Sequence, residues 1–457
     1  MDYSAANAGL WKFIIQLGLI AGAILIANLL YRKIKPIRKT MMPVAVLAGF
    51  LLLIVKLLGL RIDDEMMEML VFHGIALGFI AMSLRVSPEG EKNGGLVGLK
   101  SGAVIVSTYL VQGAAGLILS LALSYTLMPD LFKAAGMLLP MGFGQGPGQA
   151  NNVGSTYEAL GFAGGRSFGM AIAAAGYLVA CVAGVVILNV LKRRGRLTPP
   201  KQAPASQTAQ DYFEGEGTAS VSASLDALSL QAALVLMVYL VTYLVTWGIT
   251  SALAAAAPGL AKTISPLLWG FNFIIGSALA ILTRVLSGKK KERRALTYQN
   301  NYLLNRISGF FFDIMIVAGI ASIEIEDIRA LWLPFALMAA AGGVITWLHL
   351  RRACRAVYGD YYCQGLISMF GMLTGTISSG ILLLREIDPD LSTPAANNLI
   401  TGSSFGIVLG APLLILVSLA ARSEMMCWIT LALVFVYFVF LAFLIYRFQG
   451  RKGKGRA

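Results

Sequence analysis

Charge, histidine and cysteine are all scarce along these 457 residues. Charged side chains make up 13% of the chain, against a hydrophobic share of 57% and a mean hydropathy of +0.74. A soluble globular domain carries about a quarter of its residues as charges, so this composition excludes an ordinary soluble protein. Only two histidines are present, His73 and His349, far apart in the sequence, and they offer no histidine cluster for a metal. The four cysteines, Cys181, Cys354, Cys363 and Cys427, form no CxxC pair and lie in or beside apolar runs, where cysteine acts as a small packing residue. There is no HExxH and no pair of aspartates in separate apolar segments, so the sequence points away from an intramembrane enzyme and calls for no cofactor.

What the chain has in place of charge is apolar length. Eleven segments are long enough to cross a hydrocarbon core about 30 Å thick: 8–31, 41–60, 66–84, 99–128, 164–191, 230–257, 262–286, 303–323, 328–350, 395–421 and 427–446. The opening MDYSAANAGLW lacks a basic n-region and runs into a full-length segment, which reads as an uncleaved first helix. A net charge of +14 comes from short basic runs just beyond apolar segments: RKIKPIRK, KRRGR from Lys192, KKKERR from Lys289, RRACR from Arg351 and the tail RFQGRKGKGRA. Opposite ends carry acids, in RIDDE from Arg61 and IEIEDIR from Ile323. The positive-inside rule then puts the N-terminus outside and the C-terminus in the cytoplasm. With no nucleic-acid reading module, the partner of this basic charge is the bilayer, not DNA or RNA.

Two segments do not fit as spans. The first, 131–162, contains MGFGQGPGQANNVG, dense in glycine, glutamine and asparagine; the second, 361–391, contains YCQGLISMFGMLTGTISSGILLLREIDPD. With the flanking spans oriented by their basic ends, the first must enter and leave on the outer face and the second on the inner face. Both read as re-entrant hairpins, which exist at membrane depth only where buried in protein or facing a watery cavity. Setting Gly142 on Gly371 and applying the same offset carries 8–31 onto 237–260, 41–60 onto 270–289, 99–128 onto 328–357 and 164–191 onto 393–420. The expected fold is therefore an all-α polytopic membrane protein built from two inverted-topology repeats. Residues 1–194 form one unit of five spans and a hairpin, 230–421 the other, and 422–457 an extra span with a basic tail. The stretch 195–229, rich in Pro, Ala, Ser, Thr and Gln, reads as a flexible cytoplasmic connector. Inverted repeats with broken elements at the midplane favour alternating access over a single-file channel.

At a hairpin tip, helical hydrogen bonding stops and backbone N–H and C=O groups are left to meet a ligand. Glycine permits the close approach and positive φ that such a tip needs, and Pro147 removes one donor. Helix N-termini beyond each tip favour an anion, and unwound carbonyls favour a cation. The candidate side chains are Gln145, Gln149, Asn151 and Asn152 around the first tip and Thr374, Thr376, Ser378 and Ser379 around the second, which read either as ligand contacts or as partners for the irregular backbone and neighbouring helices. Asp313, inside GFFFDIMIVAG, costs at least about 2.5 kcal/mol to insert bare. It reads either as a sodium or proton site or as half of an ion pair with a cation such as Arg306. Arg166, opening the span after the first hairpin, reads either as a partner for a substrate carboxylate or as a surface residue. Asn300, Asn301 and Asn305 read equally as interfacial caps, His73 as a packing residue, and the stripe FVYFVFLAFLIYRF as lipid-facing or packing surface.

Taken together, GFGQGPGQA, TYEALGF, GFFFDIMIVAGIASIEI, FGMLTGTISSG and AANNLITGSSFG resemble the bacterial glutamate:sodium symporter family, of which this chain would be a divergent member. The likeness covers most of the chain in layout. It implies a homodimer that carries glutamate, or a similar small carboxylate, with sodium as the coupling ion, by an elevator-type movement of the hairpin-bearing core against a dimerising scaffold. By position it implies that Gln145, Gly146, Gly148, Thr374, Gly375 and Ser378 form the two tips and that Asp313 holds the cation with tip carbonyls. A symporter for another organic anion or amino acid, coupled to protons, is the alternative; a membrane scaffold or sensor without solute flux is the third reading.

Overall fold

In lipid a backbone has no water to satisfy it, so an apolar chain of this kind must close its hydrogen bonds within helices. The computed structural model of the protein describes residues 3–4, 7–39, 42–85, 94–193, 221–270, 272–288, 300–388 and 393–447, and among them there is no strand. In chain order the helices are α1 (Ala8–Lys33), α2 (Lys35–Lys39), α3 (Val44–Leu57), α4 (Asp64–Ser83), α5 (Gly94–Thr126) and α6 (Pro147–Ala159). Then follow α7 (Gly165–Arg193), α8 (Val221–Ala256), α9 (Pro258–Gly270), α10 (Asn272–Gly288), α11 (Asn301–Ala321) and α12 (Ile325–Ala330). The last five are α13 (Trp332–Tyr358), α14 (Tyr362–Thr374), α15 (Ile377–Arg385), α16 (Ala395–Ala420) and α17 (Glu424–Arg447).

Among the described residues nine helices are long and apolar enough to cross a membrane, and α3 and α10 are shorter apolar helices. With these two, each of the eleven expected spans is occupied by helix. The protein is an all-α membrane protein. Segment 262–286 is shared between α9 and α10. The expected connector 195–229 is shorter than its composition suggested, because α8 begins at Val221: VSASLDALSL has lost the prolines and glycines that precede it and offers leucines at Leu225, Leu228 and Leu230. Residues 194–220, the KKKERR run and the end of the basic tail lie outside the described residues.

Helix starts follow local capping chemistry. Asn7 accepts from Leu10 N at 3.2 Å, Asp63 from Met66 N at 2.9 Å and Asn300 from Leu303 N at 3.2 Å, each replacing a missing intrahelical partner. Asp63 also pairs with Lys12 of α1 at 2.5 Å, tying α1 to the head of α4. That hydrogen bond, with the Met66 N–H, holds the Asp63 carboxyl below the usual carboxylate range.

At the centre, α4 runs along α11. Helix α3 packs on α1 and α11, α10 packs on α8 and α4, and α5 lies among α13, α16 and α17. Small residues bring these helices close: a Cβ on Gly49 would stand 2.8 Å from Ile320, and one on Gly102 2.6 Å from Phe405. The outward faces of α1, α8 and α17 carry exposed Leu25, Leu236, Trp247 and Phe435, the apolar surface that a bilayer covers.

Helices α14 and α15 fold back on each other through glycine: a Cβ on Gly371 would lie 2.9 Å from Gly380 Cα, and one on Gly380 would overlap the Ser368 carbonyl. Gly380→Ala should therefore lower unfolding stability in detergent by about 1–3 kcal/mol through overpacking. Gly248→Ala, whose new methyl meets open space in α8, should not lower it. Thermal unfolding of the two purified variants checks both.

Candidate functional site

Two interruptions of the helical ladder face each other inside the protein. The chain approaches the first through a 3-10 turn, Lys133–Met137, held on α5 where Ser120 Oγ donates to Lys133 O at 2.7 Å and where the Gly116 and Gly136 backbones touch. A π-helical segment, Pro140–Gln145, follows and ends at Gly146, whose φ of +91° belongs to glycine. Pro147 then opens α6 at the position where its missing N–H costs nothing. The second interruption is Gly375–Thr376 between α14 and α15. Thr374 closes α14 by donating its hydroxyl back to Phe370 O at 2.7 Å.

Neither α6 nor α15 has a side-chain cap, and their first intrahelical bonds are Ala150 N to Gly146 O at 3.2 Å and Gly380 N to Thr376 O at 3.0 Å. The N–H groups ahead of these bonds are left without helical partners, at the positive ends of two helices. The tips are close: a Cβ on Gly146 would lie 3.9 Å from both Thr376 Cγ2 and Tyr177 Oη.

Beside the tips lies a cavity with about 200 Å³ of room, lined on its polar side by Gln145, Gln149, Asp313, Gly375, Thr376 and Ser378. Asp313 is half-buried on α11, and among the described residues no cation stands within ion-pairing distance of it. Arg306 engages Tyr302 on its own helix instead, with its guanidinium 5.3 Å from the ring centre. Gln149 is 2% exposed and its Oε1 has no partner; the Thr376 hydroxyl is enclosed beside the Tyr177 hydroxyl, with which it pairs. Among the described residues no basic side chain lines the cavity.

The other sequence candidates stand around this centre. Gly148 seats α6 on its neighbours, since a Cβ there would come 2.5 Å from Ile75 and 2.7 Å from Met315 Sδ. Asn151 and Ser379 are both 2% exposed, each with an unpaired side-chain oxygen, but neither lines the cavity. Asn152 donates to Gly270 O of α9 at 2.8 Å. Arg166 lies away from the tips. It pairs with Glu324 at 3.0 Å and Glu68 at 3.7 Å, while its backbone N–H donates to Glu158 at 2.9 Å. His73 meets the Tyr239 hydroxyl at 2.7 Å and His349 meets Ser107 at 3.0 Å.

Two residues at the tips were not singled out from the sequence. Gln112 of α5 donates to Leu373 O at 3.0 Å and to Thr346 at 2.8 Å, and its Oε1 is what a Cβ on Gly144 would meet at 2.8 Å. It thus touches both interruptions. Tyr177 of α7 brings its hydroxyl to the same junction. The signal for each was one polar group within an apolar run, YLVQGAAG and AAAGYLVAC. The sequence also holds two GxSxG runs, Gly165–Gly169 and Gly402–Gly406. Both lie within helices, and Ser167 is occupied in accepting from Glu324 N at 3.3 Å. This is not the strand-to-helix elbow that makes such a serine a nucleophile.

No protein-family model matches the chain, and no curated protein matches it. Removing the donor at Gln112 would leave the Leu373 carbonyl buried and unpaired. Gln112→Leu should cost about 1–3 kcal/mol of stability, and thermal unfolding in detergent measures it. Arg166→Gln should also reduce stability, while leaving the affinity of any solute bound at the tips unchanged in an equilibrium binding assay.

Proposed function

We propose that this protein is a secondary active transporter, a sodium-coupled symporter of a small carboxylate, working by an elevator-type alternating-access mechanism. The observation that carries the reading is the meeting of two uncapped helix N-termini at one internal cavity whose lining, among the described residues, holds a single carboxylate and no base. Irregular backbone at such depth is tolerated where it lines a solvated site, and transporters use half-helix ends of this kind for solute and ion together.

The packing supports an inverted repeat. Pairing α1 with α8, α3 with α10, α4 with α11, α5 with α13 and α7 with α16 also pairs their contacts. Helix α3 lies on α1 and α11 as α10 lies on α8 and α4, and α5 meets α16 as α13 meets α7. In this reading the α6 hairpin enters from outside and the α14–α15 hairpin from the cytoplasm, with the N-terminus outside. The substrate carboxylate sits at the backbone N–H groups of Gly148, Gln149, Ile377 and Ser378. Sodium, travelling as co-substrate, sits at Asp313 with tip carbonyls for company. The resemblance of the hairpin motifs brings the expectation of glutamate or a similar acid, and of a homodimer whose scaffold stays fixed while the core moves.

Coupling requires that each ligand favour the translocating state only in the other's presence. Protein reconstituted in liposomes should accumulate labelled solute when a sodium gradient is imposed. Asp313→Asn should reduce sodium activation by about tenfold or more, since it removes the carboxylate that would ligate the cation, and tenfold corresponds to about 1.4 kcal/mol. Sodium activation left intact in that variant would remove the cation assignment, and absence of flux for every acid tried would favour a scaffold or sensor.

A further inference from the structure

The cavity says more about its solute than that it is an anion. Most of its lining is apolar, with aromatic rings in one cluster. Phe79 of α4, Phe273 of α10 and Phe312 of α11 form a cluster with ring centres 5.3 and 5.4 Å apart, and Ile75, Ile407 and Leu414 continue it. Among the described residues no lysine or arginine is part of this lining.

What each charge would meet then restricts what fits. The N-termini of α6 and α15, each carrying about half an elementary charge, favour one carboxylate between them, and an α-ammonium lies beside that carboxylate on its own solute. Sodium pairs with Asp313. A second carboxylate on the solute would find neither a helix end nor a base, only the phenylalanine wall, and a buried charge without a partner is strongly disfavoured. One further group on the page does need a partner: the Oε1 of Gln149, 2% exposed and unbonded, on the helix whose N-terminus takes the carboxylate. An acceptor there, with the Thr376 hydroxyl nearby, calls for a donor on the solute next to its carboxylate.

Building on the transport reading above, we infer that the solute is a neutral α-amino acid with an apolar side chain, not a dicarboxylate. Its carboxylate lies at the two helix ends, its ammonium donates to Gln149 Oε1 and Thr376 Oγ1, and its side chain packs on Phe79, Phe273 and Phe312. The available room suits a solute of that size better than the larger ligands of roughly 300–1,000 Å³ pockets.

The test is sodium-driven uptake by the full-length protein in liposomes, using leucine, phenylalanine, 4-methyl-2-oxopentanoate and glutamate, each labelled and each as a competitor. Leucine and phenylalanine should be accumulated, with glutamate and the amine-less keto acid competing at least about tenfold more weakly. Phe273→Arg should narrow the gap between leucine and glutamate by supplying the missing base. Ile407→Lys does the same from α16 should the first variant fail to fold, and thermal unfolding reports which of them is folded. Glutamate taken up as well as leucine would overturn this inference while leaving the transporter intact. A keto acid equal to leucine would overturn the place given to the ammonium, and uptake of none of the four by folded protein would remove the transport reading with it.

Discussion

Everything in this fold follows from one constraint: at membrane depth a backbone N–H or C=O must find a partner inside the protein. A helix meets it locally, residue by residue, and the described chain is helical almost throughout. The exceptions are therefore the informative places. At Gly146 and at Gly375–Thr376 the ladder stops, and in both cases the stop is enclosed by other helices, α4, α7 and α11 around the first and α7, α13 and α16 around the second. Partners come from side chains reaching in, as Gln112 does for Leu373 O, or are absent, as for the first-turn N–H groups of α6 and α15. An enclosed group without a partner is costly, which makes those unpaired donors the part of the structure that a ligand would complete.

Side-chain chemistry concentrates at the same place for the same reason. Asp313 lies on α11 beside the tips, and the helix ends facing it across the cavity are of the opposite sign. Four acid–base pairs lie near helix ends, Lys12 with Asp63, Lys56 with Asp64, Lys133 with Glu424 and Arg166 with Glu324.

Much of this was legible in the sequence, because hydropathy is read one segment at a time. The apolar runs gave helices at nearly the expected places, and the glycine-rich MGFGQGPGQANNVG marked a true interruption. Where the reading fell short, the missing information was long-range. The connector's end turned into α8 because local propensity outweighed the general composition of the stretch. Arg166 was visible as a charge, but Glu68 and Glu324, which occupy it, are remote in sequence. Gln112 and Tyr177 looked like any polar residue in a span, since nothing along the chain says that α5 and α7 border both tips. The absence of a base from the cavity wall is a property of helices brought together, and no single segment records it.

The attachments of α5 have a further meaning. Gln112 holds the second interruption at Leu373, Gly116 touches the first approach turn at Gly136, and Ser120 holds that turn at Lys133. These residues recur every fourth position, so they form one line along a helix, about 6 Å per step. A helix this long is stiff, and such a line works as a graduated ruler: it fixes the depths of two hairpins against a common scale. Their alignment across the cavity is then set by the rise of an α-helix, a length that varies little with temperature, lipid or load.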